Sequence, residues 1–268
     1  GQSGRNPESV APLVELAELV GAQVVSEPVH MNFPANNPAY VGSNPGPYVD
    51  QADVILAVDQ EVPYLPAQSK PRPDTRIINI DIDPIKPSIP LWVFPTDLLL
   101  HGDSAKAIPA LVEAVKEHIT ESDQARISER ISIIADRHQE HRKQADELAL
   151  SHASSSPITP EWLSYCINQV IDEDAILLDE CVTNTATVTD YLQRSQPGTH
   201  FKSGGSSLGW GLGAALGVKF ASPDKTVVAA FGDGAFIYGC PVSSLWVADV
   251  YKAPFLAVIY NNQLHNAT

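Results

Sequence analysis

The chain has 268 residues, 44% hydrophobic and 18% charged, enough apolar material for one large core or two ordinary ones. Seventeen basic residues against thirty-two acidic ones give a formal net charge of −15, which repels phosphate backbones and anionic lipid and so disfavours a nucleic-acid or membrane-surface role. No run of about eighteen apolar residues offers a membrane span, and Cys166, Cys181 and Cys240 are too far apart for a Cys-x-x-Cys metal site, so they read as reduced, partly buried thiols of a cytoplasmic protein.

The sequence opens with Gly1-Gln2-Ser3-Gly4, which reads as a loop following a strand, and it stops soon after Gln263-Leu264-His265; both ends read as cut from a longer chain. From Ser9 to Val20 the apolar residues Val10, Leu13, Leu16, Ala17 and Val20 make a helical stripe, and Gln23 to Ser26 reads as a short buried strand. Asp53 to Val58 and Arg76 to Ile82 are β-branched apolar runs of the kind found in parallel sheets covered on both faces. Glu121 to His152 is charged and proline-free, a long exposed helix. Thr159-Pro160-Glu161 then supplies a capping hydroxyl followed by proline at the first helical position.

A second α/β pattern follows. A helix is expected from Glu161 to Ile171, a strand from Ala175 to Leu178, an irregular segment, a small-residue helix from Gly211 to Phe220, a strand from Thr226 to Phe231, a loop and helix from Gly232 to Val250, and a strand from Phe255 to Tyr260. The expected architecture is α/β, with two doubly wound, parallel-sheet, Rossmann-like domains over 1–120 and 157–268 and a helical linker over 121–156. Functional loops belong at the C-terminal ends of such strands.

Two short motifs stand at those ends. Phe231-Gly232-Asp233-Gly234-Ala235 directly follows an apolar strand, and the next apolar strand ends at Asn261-Asn262. A carboxylate and an amide oxygen are hard donors suited to Mg2+ or Ca2+ bound together with phosphate oxygens. Glycines beside the carboxylate let backbone N–H groups approach an anion closely.

The spacing Gly-Asp-Gly, 26 residues, Asn-Asn resembles the signature of thiamine-diphosphate-dependent 2-oxo-acid enzymes of the acetolactate synthase, benzoylformate decarboxylase and pyruvate decarboxylase type. The resemblance implies Mg2+ ligation by Asp233, the Asn262 side chain and the Leu264 main-chain oxygen. It also implies diphosphate contacts from Gly232, Gly234 and Ala235; the family often has Ser in place of Ala235, a change that keeps the backbone donor and loses a hydroxyl. Gly204 to Gly217 looks like the family's Gly-rich segment, in which Leu208 would prop the folded cofactor and the Ser206 main-chain oxygen would accept from its aminopyrimidine. Leu177 to Thr185 resembles the loop near the diphosphate tail, with Thr183 and Asn184 as donors.

The same resemblance places the activating glutamate on a pyrimidine-binding domain outside this chain, contributed by a neighbouring subunit of a homodimer or homotetramer, so no catalytic residue is assigned here. The implied reaction is decarboxylation of a 2-oxo acid with carboligation or aldehyde release; the alternative is a non-catalytic or regulatory homologue that keeps the fold. Some relatives hold FAD in the first of these domains, but no complete Gly-x-G-x-x-Gly fingerprint occurs and a flavin is not expected. His30 and His265 could face the substrate, although loop histidines are more often solvated.

Overall fold

The computed structural model describes residues 1–27, 29–89, 94–205 and 207–264. Contacts divide the chain into two compact units, one built from residues 1–27 and 38–136, the other from the segment up to Asn37 together with Arg137 onward.

In the first unit, α1 (Val10–Val20) and the single turn α2 (Gly46–Val49) precede β1 (Val54–Val58), β2 (Arg76–Asp81), β3 (Leu98–His101) and α3 (Ser104–His118). The strands are parallel in the order β1-β2-β3, with Val58 opposite Ile80 and Asp81 opposite His101. One face packs Val58 and Ile80 against Leu16 of α1 and Ile108 and Val112 of α3. The other packs Ile77 against Val49 and Tyr64, with Phe94 edge-on to Tyr64. Prolines at 63, 66, 71 and 73, and at 84 and 87, explain why the described parts of the β1–β2 and β2–β3 connections are loops: each removes a backbone donor and blocks a helical turn.

The expected strand at Gln23–Ser26 reduces to one parallel bridge, Val24 to Tyr40. Pro38 and the left-handed Gly42 on the partner segment break the extended geometry that a longer ladder needs.

The charged stretch forms α4 (Glu121–Ser151) as one helix. The second unit then contains α5 (Pro160–Val170), β4 (Ile176–Glu180), α6 (Thr185–Tyr191), β5 (His200–Lys202), α7 (Trp210–Ala221), β6 (Val227–Gly232), α8 (Asp233–Tyr238), α9 (Pro241–Val250) and β7 (Leu256–Tyr260). Thr159 caps α5 as its sequence implies, its hydroxyl accepting from the Trp162 N–H at 3.3 Å. The loop and helix expected over Gly232–Val250 are two helices, separated by Gly239 and the left-handed Cys240, with Pro241 starting the second.

These strands are also parallel, in the order β5-β4-β6-β7. Residues alternate between two buried faces: Leu177, Val228 and Ala230 meet Ile167 of α5 and Val188 of α6, whereas Leu178, Val227, Ala229 and Phe231 meet Leu212 and Ala215 of α7. The outer strands are less covered, with Leu98, Leu99 and Leu100 of β3 and Leu256 and Ile259 of β7 exposed.

Candidate functional site

Because β4, β6 and β7 are parallel neighbours, their C-terminal ends emerge side by side. The register sets Glu180 opposite Phe231 and Gly232 opposite Tyr260, with adjacent strands about 4.8 Å apart. Asp233 therefore leaves β6 one strand away from the Asn261-Asn262 turn that ends β7.

Asp233 is the first residue of α8 and is half-buried. Among the described residues its carboxylate has neither a hydrogen bond nor an ion pair. No side chain caps α8, so the first-turn N–H groups, those of Gly234 and the buried Ala235 included, have no intrahelical partner. Gly232 has φ −70°, and a Cβ there would meet only the Glu180 carbonyl at 4.0 Å. The protein itself does not demand a glycine at that position.

Beyond β7 the chain folds through two successive side-chain turns. The Gln263 N–H donates to Asn261 Oδ1 at 2.9 Å, and the Leu264 N–H donates to Asn262 Oδ1 at 2.9 Å. The second bond fixes the Asn262 amide while leaving its oxygen a further lone pair. The Leu264 side chain points to solvent, so its contribution to a site would be its carbonyl. Among the described residues no three His, Cys, Asp or Glu side chains form a metal-holding group; the oxygen set available here is one carboxylate, one amide and a carbonyl.

Thr183 and Asn184 lie in a short 3-10 turn, Val182–Asn184, directly after β4. Asn184 occupies the N-cap position of α6, yet its side chain does not cap. Leu208 sits in the turn before α7 and is 38% exposed. Ser206 and His265 lie outside the described residues. His30 forms an antiparallel bridge with Phe201 and stacks edge-on against its ring, which ties it to β5 and away from the strand ends of β6 and β7.

Asp179 and Glu180, the two acids of the Leu177–Thr185 segment, end β4. Glu180 is buried, and its carboxylate accepts from the N–H groups of Gly209 (2.7 Å), Trp210 (3.0 Å) and Gly211 (2.7 Å). Asp179 is fully buried, and its Oδ1 accepts from the Cys181 N–H at 2.9 Å. Burial pushes the Asp179 carboxyl above the usual range; the Cys181 N–H and the charge of Lys202 work in the opposite direction. Thr185 Oγ1 adds a weaker pull of that kind without forming a well-shaped hydrogen bond. Two consecutive acids closing an otherwise apolar strand were the available signal for both residues.

The model of the thiamine pyrophosphate enzyme C-terminal TPP-binding domain matches residues 181–268. Residues 181–268 are thus similar to the cofactor-binding domain of thiamine-diphosphate-dependent enzymes. Benzoylformate decarboxylase of Pseudomonas aeruginosa is 35% identical over 114 residues, 41% of this chain and 21% of that protein. Acetolactate synthase isozyme 3 large subunit of Escherichia coli is 28% identical over 219 residues, 79% of this chain and 36% of that protein. The chain thus spans about a fifth to two fifths of the length of these curated relatives. A crystal structure of benzoylformate decarboxylase from Polynucleobacter necessarius superposes with TM-score 0.72 at 19% identity, covering 98% of this chain and 48% of that one, so both halves share the fold found in this family.

Proposed function

We propose that the second unit supplies the diphosphate- and Mg2+-binding half of a thiamine-diphosphate site, in an enzyme that decarboxylates a 2-oxo acid and then either joins the remaining fragment to a second carbonyl or releases an aldehyde. The observation that carries this reading is the Asp233 carboxylate, which has no partner among the described residues, beside the first-turn N–H groups of α8 at the end of β6, one strand from Asn262. Elsewhere in the chain buried or half-buried carboxylates such as Asp59, Asp81 and Glu180 are engaged by protein donors.

The residues present fit the cofactor. Asp233, the Asn262 amide and the Leu264 carbonyl are hard oxygen donors of the kind Mg2+ takes together with phosphate oxygens. The backbone at Gly232, Gly234 and Ala235 can approach a diphosphate, Gly232 being free of any internal reason to lack a side chain. Thr183 and Asn184 stand at the neighbouring strand end with side chains available to donate. Leu208 and the Ser206 carbonyl would orient the rings. When bound, thiamine diphosphate supplies a thiazolium carbanion and an acceptor for the electrons released with CO2; the protein contributes orientation and charge compensation. The acid that activates the cofactor would come from the pyrimidine-binding domain of a neighbouring subunit in a homodimer or homotetramer, placed in the cytoplasm.

The test is thermal unfolding of the protein with thiamine diphosphate and Mg2+, repeated with EDTA. Ligand at about a hundred times its dissociation constant should stabilise by about 2.7 kcal/mol. A shift that EDTA abolishes is the expected result. No shift in a form that includes the pyrimidine-binding domain would favour a non-catalytic homologue.

A further inference from the structure

Glu180 carries no role in the reading above, yet its carboxylate accepts three backbone hydrogen bonds. Both oxygens are engaged: Oε1 accepts from the Gly209 and Trp210 N–H groups, and Oε2 accepts from that of Gly211. These belong to the N-cap residue and first two residues of α7, donors that a helix cannot satisfy internally. A remote glutamate, 29 to 31 residues earlier in the chain, thus performs the work usually done by a local Ser, Thr or Asp.

The turn it grips is also confined from the opposite side. Gly209 has φ +96°, and a Cβ there would stand 2.7 Å from the Tyr238 carbonyl oxygen and 3.0 Å from the Gly239 nitrogen, both backbone atoms at the end of α8. A Cβ on Gly211 would stand 2.6 Å from the Phe231 ring and 2.8 Å from Glu180 Oε2. Residues 208–211 are therefore wedged between the last residue of β4 and the C-terminal end of α8, with no slack for a side chain at either glycine. Glu180 itself pairs with Phe231, two residues before Asp233. One residue thus links the strand ends assigned to Mg2+ and diphosphate with the turn that carries Leu208.

Resting on the thiamine-diphosphate reading, we propose that Glu180 is a positioning residue: through the Gly209, Trp210 and Gly211 N–H groups it sets the Leu208 turn at the height at which the organic rings of the cofactor must lie, while leaving the diphosphate and metal contacts to other residues. Replacing it should damage recognition of the rings and spare recognition of the diphosphate.

Glu180→Gln separates these effects, because an amide offers one acceptor oxygen and aims two donors at the remaining N–H groups. Glu180→Asp keeps the charge and shortens the reach, and it serves as the second variant if the glutamine form does not fold. Binding would be measured on the full chain by calorimetry with two probes, Mg2+ with thiamine diphosphate and Mg2+ with inorganic pyrophosphate. Each variant should bind thiamine diphosphate about tenfold or more weaker than the parent and bind pyrophosphate as the parent does. Equal affinity for thiamine diphosphate in parent and variants overturns the proposal, as does a parallel loss with both probes, which would make Glu180 a general fold support. A parent protein that includes the pyrimidine-binding domain and binds neither probe refutes the thiamine-diphosphate reading itself and removes this inference with it.

Discussion

The two units end their parallel strands in opposite ways. In the first, the strand-end carboxylates are consumed by the protein: Asp59 after β1 accepts from the Ser104 hydroxyl at 2.6 Å, and Asp81 at the end of β2 accepts from Lys86 Nζ at 2.5 Å and from the Asp83 N–H at 2.8 Å. In the second, Glu180 is consumed by α7, but Asp233, just past the end of the next strand, has no hydrogen-bond or ion-pair partner among the described residues. The lesson is that an acid at a strand end becomes a ligand candidate only when its lone pairs are still free. Fold and position are shared; the difference lies in the donors nearby.

That contrast can be broken from either side. Asp81→Ala would strand the ammonium of Lys86, whose side chain is 12% exposed, and should lower the stability of the first unit by about 3–5 kcal/mol in urea unfolding. It should leave ligand binding by the second unit unchanged; a neutral effect would mean that the pair is dispensable.

Next in size is a pH effect on a buried group of β5, His200, at the start of that strand. Burial, with Lys202, Arg194 and His30 adding positive charge, holds the His200 imidazole down at about 4, below its ordinary 6.5. A depressed histidine favours the neutral form in the fold, so its contribution is complete above pH 6.5 and is lost as pH falls from 6.5 towards 4. The loss should reach about 3 kcal/mol. Urea midpoints followed across that window should fall less in His200→Phe than in the parent; parallel curves would rule the histidine out as the cause.

Asp233→Ala is the converse of the Asp81 change. It should weaken Mg2+-dependent thiamine diphosphate binding by about a hundredfold or more, equivalent to about 2.7 kcal/mol, without moving the urea midpoint, because no protein contact is lost. Unchanged affinity would sink the metal assignment. Leu208→Ala should have the smallest effect, up to about tenfold on thiamine diphosphate and none on pyrophosphate; equal losses on both probes would place Leu208 in the fold and not at the rings.

Most of the architecture could be read in the sequence, since apolar runs such as Val227–Phe231 and the Thr-Pro helix start are local signals. The structure adds β5, whose His-Phe-Lys sequence has no apolar run and which is held by hydrogen bonds to the distant segment 29–31: the Met31 N–H donates to the His200 carbonyl and the Lys202 N–H to that of Val29. The placement of Asp233 and Asn262 at neighbouring strand ends was legible because each motif directly follows an apolar run. The bonding of Glu180 to the start of α7 was not, because its partners lie about thirty residues later and are backbone groups, which carry no letter in the sequence. The same holds for Gly211, which reads as one more small residue of a Gly/Ala-rich helix until the Phe231 ring and the Glu180 carboxylate are found against it. Gly213 and Gly217, by contrast, have open space around them, and nothing in the structure explains them.

The thinly covered outer strands have a consequence for the behaviour of this polypeptide in solution. β3 and β7 close their sheets with exposed leucine and isoleucine side chains beside unpaired backbone edges, a combination that invites one molecule to add its strand to another. A net charge of −15 keeps such molecules apart by mutual repulsion. Salt shortens the reach of that repulsion to about 3 Å at 1 M, so this chain should remain dispersed in dilute buffer and cloud as ionic strength is raised, the reverse of a protein whose association is driven by opposite charges.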